Sequence, residues 1–179
     1  MSTDAFQTLR ALSQQVIDFA APVPATQELI QNWHGAAFDV LGTRCVISAD
    51  ETRMIVDLGD TIPLPGVKHW VRGLANVGGR VVAISDLTSF LSGGAKTSGG
   101  KQALIVNGRG IHTGLMIEQS YGGVRLSTEQ LRTDIQVADE LQPYISGVFS
   151  TNDGDYALFD TSKLLIDANF TEASVITSS

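Results

Sequence analysis

The stretch Leu64-Pro65-Gly66-Val67-Lys68-His69-Trp70-Val71-Arg72-Gly73-Leu74-Ala75-Asn76-Val77-Gly78-Gly79-Arg80-Val81-Val82-Ala83-Ile84-Ser85-Asp86-Leu87-Thr88-Ser89-Phe90 sets the reading of the whole chain. Pro65-Gly66 is a turn signal, and Gly73 breaks an aromatic-apolar run. Gly78-Gly79 then separates that run from the strongest strand signal in the protein, residues 80–87. Glycines at such intervals let strands bend and approach closely. The stretch holds no cysteine, no close carboxylate pair and no nucleophile–base spacing. It reads as the centre of a β domain rather than as a catalytic loop. Trp70, Val81, Val82 and Ile84 are expected in its core.

The composition supports a folded protein: 43% of the 179 residues are hydrophobic and only 17% are charged, proportions of globular rather than disordered chains. The net charge of −7 argues against non-specific nucleic-acid binding, which needs Lys and Arg to displace counterions from phosphates. No apolar run approaches the roughly 18 residues of a spanning helix, so no direct membrane insertion is expected. The N-terminus lacks the basic start and apolar core of a signal peptide. A reducing, cytoplasmic setting is the expectation. Cys45 is the single cysteine and cannot form an internal disulfide. His34, His69 and His112 stand far apart, with no His-x-x-x-His pair to seed a metal site.

Residues 3–20 carry Phe6, Leu9, Leu12, Val16 and Phe19 at spacings of three and four. That pattern predicts an amphipathic helix, which must stop near Ala20 because Pro22 and Pro24 cannot continue it. A second short helix is expected from Thr26 to Trp33, ending at Gly35. Residues 1–35 are thus expected to form a helical N-terminal extension. From Gly35 onward, short apolar runs and glycine-bearing turns replace helical periodicity. One hairpin is expected from residues 38–41 and 44–48. A second joins 102–106 to 111–117 across Asn107-Gly108-Arg109-Gly110, with Asn-Gly as the positive-φ pair. A third joins 144–150 to 155–160 across Thr151-Asn152-Asp153-Gly154. Residues 53–58 and 120–126 read as further strands, 92–100 as a surface loop and 127–131 as a helical turn. Asp160 or Thr161 is expected to cap a short helix through Leu165. The Ser/Thr-rich tail from Thr171 is expected to fray, leaving 36–170 as the main domain. Roughly nine or ten short strands without βαβ alternation argue an all-β fold, a barrel or a pair of barrels.

Candidate chemistry is sparse. A phosphate loop ending at Gly100-Lys101 would need glycine at 95 and Ser or Thr at 102, where Ala95 and Gln102 stand, and the segment precedes a strand. Gly108-Arg109-Gly110 misses the last glycine of a dinucleotide fingerprint. Cys45 sits in a strand as a small hydrophobe, and no Gly-x-Ser-x-Gly elbow occurs. Asp134, Asp139, Glu140, Asp153 and Asp155 lie in polar loops. The residues alone describe an all-β domain with a helical N-terminal extension, suited to binding or scaffolding rather than to catalysis.

Residues 65–87 resemble the central signature of CheW-like coupling domains. In that family an aromatic-Val-Arg/Lys-Gly segment, here Trp70-Val71-Arg72-Gly73, leads to Asn-Leu/Val-Arg-Gly, here Asn76-Val77-Gly78-Gly79. A strand ending in Asp86-Leu87 follows. Residues 114–131 resemble the family's Gly-Leu-Val-Val-Asp strand and the turn after it. Tyr144, Gly147, Asp160, Leu164 and Leu165 match its closing Tyr-Leu-x-Gly strand and Asp-x-x-x-Leu-Leu end. The order is consistent over residues 36–166. Gln27, Gln31, Asn32 and Trp33, together with residues 64–71, are similar to members serving type IV pilus chemosensory pathways.

The resemblance implies two small five-stranded β-barrel subdomains packed around a shared apolar seam. It implies no catalysis and no cofactor. It implies an adaptor between the cytoplasmic tip of a methyl-accepting chemotaxis receptor and the regulatory domain of a CheA-like histidine kinase, recruited to membrane-associated arrays, with twitching motility as the readout. Gly73, Asn76, Gly79 and Asp86 would shape the seam. Met54, Arg72, Asn76, Gly78, Gly79 and Arg80 are the candidate partner contacts. Two positions depart from the pattern: the family's receptor-contacting arginine falls on Gly78, and a receptor-facing acidic position falls on Met54. Losing an arginine removes a five-donor fork and a full charge. Either Arg80, on the same strand face two residues on, supplies that charge, or the chain is a degenerate array component with impaired receptor contact.

Overall fold

The computed structural model describes residues 32–134 and 136–174. The helix expected over 3–20, and the second as far as Gln31, lie outside these residues. The last two residues of that second helix, Asn32 and Trp33, are strand instead. They open β1 (Asn32–Val40), where Trp33 pairs with Leu126 and packs its ring 5.1 Å from Phe149. Pairing with β8 and packing of the half-buried Trp33 ring on buried Phe149 outweigh local helix preference here.

Eleven strands are found among the described residues, and they form two sheets. The first sheet holds β1, β2 (Thr43–Ser48), β8 (Gln119–Ser127), β9 (Leu131–Arg132), β10 (Ile145–Thr151) and β11 (Gly154–Phe159), in the order β8-β1-β2-β11-β10-β9. The second holds β3 (Thr52–Asp57), β4 (Val71–Val77), β5 (Arg80–Asp86), β6 (Gln102–Gly108) and β7 (Ile111–Ile117), in the order β3-β6-β7-β5-β4. The resemblance implied five strands in each; the sixth strand of the first sheet is the two-residue β9. Two short helices follow strand ends, α1 (Leu87–Leu91) and α2 (Thr161–Leu165), and α3 (Ala168–Thr171) follows α2. The second sheet is inserted in sequence within the first. The chain leaves β2 through residues 49–51, completes β3 to β7, and returns to the first sheet at Glu118.

Strand alternation sends one set of side chains inside each sheet and the other between the sheets. Inside the first, or flanking, barrel lie Ala37, Val46, Leu126 and Phe149, with Trp33, Leu131 and Tyr156 packed on them. Inside the inserted barrel lie Ala75, Val82, Ile84, Ile105 and Met116. The opposite faces meet in one larger core that includes Phe38, Val40 and Phe159 from one sheet and Leu104, Leu115 and Ile117 from the other. This core is the expected shared seam. Its residues differ from those expected: Asn76 and Gly79 are exposed at a turn, away from it. Asp86 acts one step removed, by capping α1, whose Leu87 and Leu91 enter the seam.

Trp70, Val82 and Ile84 are buried as expected, but Val81 is 70% exposed. With Val82 and Ile84 pointing into the barrel, the pleat leaves Val81 and Ala83 on the outside. The second hairpin also differs from expectation. Asn107 pairs with His112 and Gly108 with Ile111, so the two turn residues are Arg109 (φ +51°) and Gly110 (φ +79°). Turning at Asn-Gly would have left Leu115 to Ile117 without partners on β6. The register adopted pairs the whole apolar run 102–106 with 113–117. The tail is pinned further than expected: the Lys68 N–H donates to the Ala173 carbonyl at 2.9 Å, and Val67 bridges Ser174. Phe170 stacks on Trp70 at 5.1 Å, anchoring the same strap.

Residues 70–91 and 144–165 are two versions of one structural unit at constant spacing, without a gap. Trp70 corresponds to Tyr144, Gly73 to Gly147 and Asp86 to Asp160. Each unit is a hairpin followed by a short helix with an aspartate N-cap. The cap N–H donates to the carbonyl of the leading aromatic residue in both, Asp86 to Trp70 at 2.7 Å and Asp160 to Tyr144 at 2.8 Å. The second strand of each unit also gains one parallel neighbour, β7 for β5 and β2 for β11.

Candidate partner-binding surface

β3 and β4 are the two outer strands of the inserted sheet. At one end of the gap between them lies a cleft of ≈ 330 Å³ lined by Arg53, Met54, Val77, Gly78, Arg80, Ile105, Asn107 and His112. Three of the sequence-derived candidates, Met54, Gly78 and Arg80, thus share one site. Met54 is 52% exposed at its rim, and buried Ile105 forms part of its floor. Arg53 and His112 are not among the partner contacts expected from the sequence, where His112 figures only as an isolated histidine. His112 reaches the cleft through its pairing with Asn107 on β6, a relation set by register rather than by any local motif.

Gly78 and Gly79 are the two turn residues between β4 and β5, with φ of +58° and +83°. Such two-residue turns need positive φ at both positions, which glycine adopts without strain. The Asn76 side-chain oxygen accepts the Gly79 N–H at 2.9 Å, so Asn76 holds the turn rather than facing the cleft. A Cβ placed on Gly78 would meet nothing within 4 Å. A larger residue there is opposed by backbone conformation, not by space.

Arg72 is engaged elsewhere. Its Nε lies 3.8 Å from a carboxylate oxygen of Asp86, which is fully buried. Asp86 also accepts the Ser89 N–H at 3.0 Å, capping α1, and the Ser98 N–H at 3.2 Å, tying down the loop over 92–100. The signature aspartate is therefore a structural junction. Arg72 belongs to a second, shallower cleft of ≈ 290 Å³ at the other end of the barrel, with Leu58, Thr61, Lys101 and Met116. Among the described residues, neither Arg53 nor Arg80 has a carboxylate within ion-pair distance. The Met54 cleft accordingly combines an apolar floor with unpaired guanidinium groups in a chain of net charge −7. Such a site favours an acidic, partly apolar partner.

Glu118 bonds three groups where the chain returns to the flanking barrel. Its carboxylate accepts the Leu41 N–H at 3.0 Å, the Gly42 N–H at 3.4 Å and the Thr88 hydroxyl at 3.1 Å. Among the described residues no three His, Cys, Asp or Glu side chains are grouped to hold a metal ion. Cys45 is buried, and desolvation pushes its thiol well above the ordinary cysteine range. No described helix is long and apolar enough to cross a membrane.

The family model for the CheW-like domain matches residues 34–169. The chain belongs to the CheW-like domain family. Over 148 residues it is 33% identical to Protein PilI of Pseudomonas aeruginosa, covering 80% of this chain and 82% of that protein. It is 19% identical to the chemotaxis protein CheW of Thermotoga maritima over 138 residues, 77% of this chain and 91% of the relative. The crystal structure of the scaffolding protein TtCheW from Thermoanaerobacter tengcongensis superposes with a TM-score of 0.66 at 16% identity, covering 78% of this chain and 96% of that one. That likeness establishes the CheW-like fold. The domain boundary follows the strands: β1 begins at Asn32, just before the first matched residue.

Proposed function

We propose that this CheW-like protein is a non-enzymatic adaptor that couples the cytoplasmic tip of a methyl-accepting chemotaxis receptor to the regulatory domain of a CheA-like histidine kinase. Its pathway is a type IV pilus chemosensory system controlling twitching. It works in the cytoplasm, recruited to membrane-associated receptor arrays. The observation that carries this reading is the convergence of Met54, Gly78 and Arg80 on one cleft, in a chain 33% identical to PilI. Arg80 takes over the charge of the arginine absent at Gly78, because both residues line the same cleft. Arg53 adds a second guanidinium group at the rim. A carboxylate on the receptor tip would meet a charge-assisted hydrogen bond there.

The test is calorimetric binding of a purified receptor tip fragment to wild type and to Arg80→Ala. Loss of one charge-assisted bond, about 1.5–3 kcal/mol, predicts at least a tenfold weaker complex. Gly78→Arg in the Arg80→Ala background should restore part of that loss. Unchanged binding by Arg80→Ala would refute the compensation. A second reading rests on the missing side chain at Gly78 itself: a degenerate family member that fills array positions without gripping the receptor. It predicts that Gly78→Arg leaves both receptor binding and twitching unchanged.

A further inference from the structure

The Met54 cleft is the open mouth of the inserted barrel. Alternation along the strands puts Arg80 on the inward face with Val82 and Ile84, Asn107 with Ile105, and His112 with Gly114 and Met116. On β5 and β7, which run parallel, Ala83 lies beside Thr113. His112 therefore comes level with Val82, two residues along β5 from Arg80. On its other side His112 pairs with Asn107. The barrel beneath is full: at Gly114, the next inward position on β7, a Cβ would stand 2.5 Å from Ile84 and 3.2 Å from Ile105. His112 is exposed and is left in the mouth with the arginines.

The charges lining this mouth have one sign. β5 offers Arg80, β3 offers Arg53 and β6 offers neutral Asn107. Arg109 stands in the turn that joins β6 to β7. Glu51 packs against β6, its carbonyl accepting the Asn107 N–H at 3.4 Å, but its carboxyl is bonded to Thr161. Among the described residues no carboxylate lies within ion-pair distance of His112.

We infer that His112 makes partner binding at this cleft proton-linked: its imidazolium joins Arg53 and Arg80 as a third cation gripping a carboxylate on the partner. The inference rests on the adaptor reading above and names what regulates that site. Between about pH 8 and pH 5.5 a histidine gains its charge, while guanidinium groups stay charged and carboxylates on a partner stay ionised. Of the residues lining the cleft, only His112 changes charge in that window. A carboxylate bound beside the ring favours its charged form, so the complex takes up protons as it forms. By reciprocity, acid tightens the complex. An exposed pair of this kind strengthens binding by about two- to fivefold.

Calorimetric titration of the receptor tip fragment that tests the adaptor reading tests this as well. Wild type should bind about two- to fivefold tighter at about pH 5.5 than at about pH 8. At about pH 6.5 its binding heat should differ between buffers of different ionisation enthalpy, in the sense of proton uptake. His112→Gln keeps a polar, neutral side chain at an exposed position, so its circular dichroism should be unchanged. It should bind as wild type does at about pH 8 and show neither the tightening nor the proton uptake. His34→Gln, on β1 of the flanking barrel, should keep both. Equal binding by wild type at both pH values, a dependence that survives His112→Gln, or one lost with His34→Gln overturns the proton linkage and leaves the adaptor reading in place. A fragment that binds at neither pH overturns both.

Discussion

Replacing Gly73 by alanine should be among the most damaging single changes in the inserted barrel. Gly73 has φ +125°, where an L side chain is strained by about 1–3 kcal/mol. Its Cβ would also stand 2.0 Å from the Ile62 carbonyl oxygen and 2.9 Å from the Pro63 Cα. Both are backbone atoms, so no rotamer change relieves the clash. The segment must retreat, breaking the two hydrogen bonds between Ile62 and Leu74, each contributing about 0.5–1.5 kcal/mol. Together these give about 2–6 kcal/mol, or roughly 4–24 °C in Tm for a chain of this length. Denaturant unfolding followed by far-ultraviolet circular dichroism measures it. Gly78→Ala is the control: it has positive φ but open space around its Cβ, so only strain of about 1–2 kcal/mol is expected. If Gly73→Ala costs no more than Gly78→Ala, close approach of the Ile62 strand is not what requires glycine, and the reasoning fails.

Two further predictions concern the remainder of the domain. Burial raises the Glu51 carboxyl above its ordinary value, against a weaker opposing hydrogen bond with Thr161. Its contribution to stability is therefore fully present below the ordinary glutamate range and is lost as pH rises through the raised folded value. Glu51→Gln should raise Tm at pH 7, with the gain vanishing below about pH 4; a gain independent of pH would contradict this. Phe170→Ala removes a ring stacked at 5.1 Å on Trp70 and set edge-on at 5.1 Å to Phe90. It should destabilise by about 3–5 kcal/mol and shift tryptophan emission to the red; unchanged emission would show that the strap does not shield Trp70.

Much of the fold is legible in the residues because it is local. Asp160 caps α2 as expected, accepting the Ser162 and Lys163 N–H groups. The 127–131 turn closes through a capping box between Ser127 and Gln130. What depends on pairing partners is not legible in this way. Residues 81–84 are apolar throughout, so the run does not announce which pleat face is covered, and Val81 is exposed only because nothing described lies over it. The Asn107-Gly108 signal loses to a longer apolar register across the hairpin. Asn32 and Trp33 carry helix-like neighbours, yet β8 and Phe149 draw them into a strand. The repeat at residues 70–91 and 144–165 escapes a reading by side-chain type, since beyond Gly73, Ala83 and Asp86 few of its positions carry the same residue. It is visible in hydrogen bonds and strand bounds.

The candidate site shows the same division. Arg72 and Asn76 stand next to the partner-contact candidates in sequence, but each already has a structural bond, to Asp86 and to Gly79. Arg53 and His112 are remote in sequence and join the cleft through β3 and the β6–β7 pairing. Gly78 is informative as sequence and ordinary as structure, one of two glycines in a tight turn. The absent guanidinium is a functional question because the turn itself does not need a side chain there.

The insertion of one barrel within the other has a mechanical meaning. A body held by one linker swivels freely about it, whereas a body held at two points turns only about the line between them. Residues 49–51 and Glu118 are those two points for the inserted barrel. The three groups held by Glu118 fasten one of these points, while the shared core and the strap through Lys68 and Ala173 clamp the barrel's face as well, so a load on the Met54 cleft is passed to the flanking barrel rather than lost in a swivel.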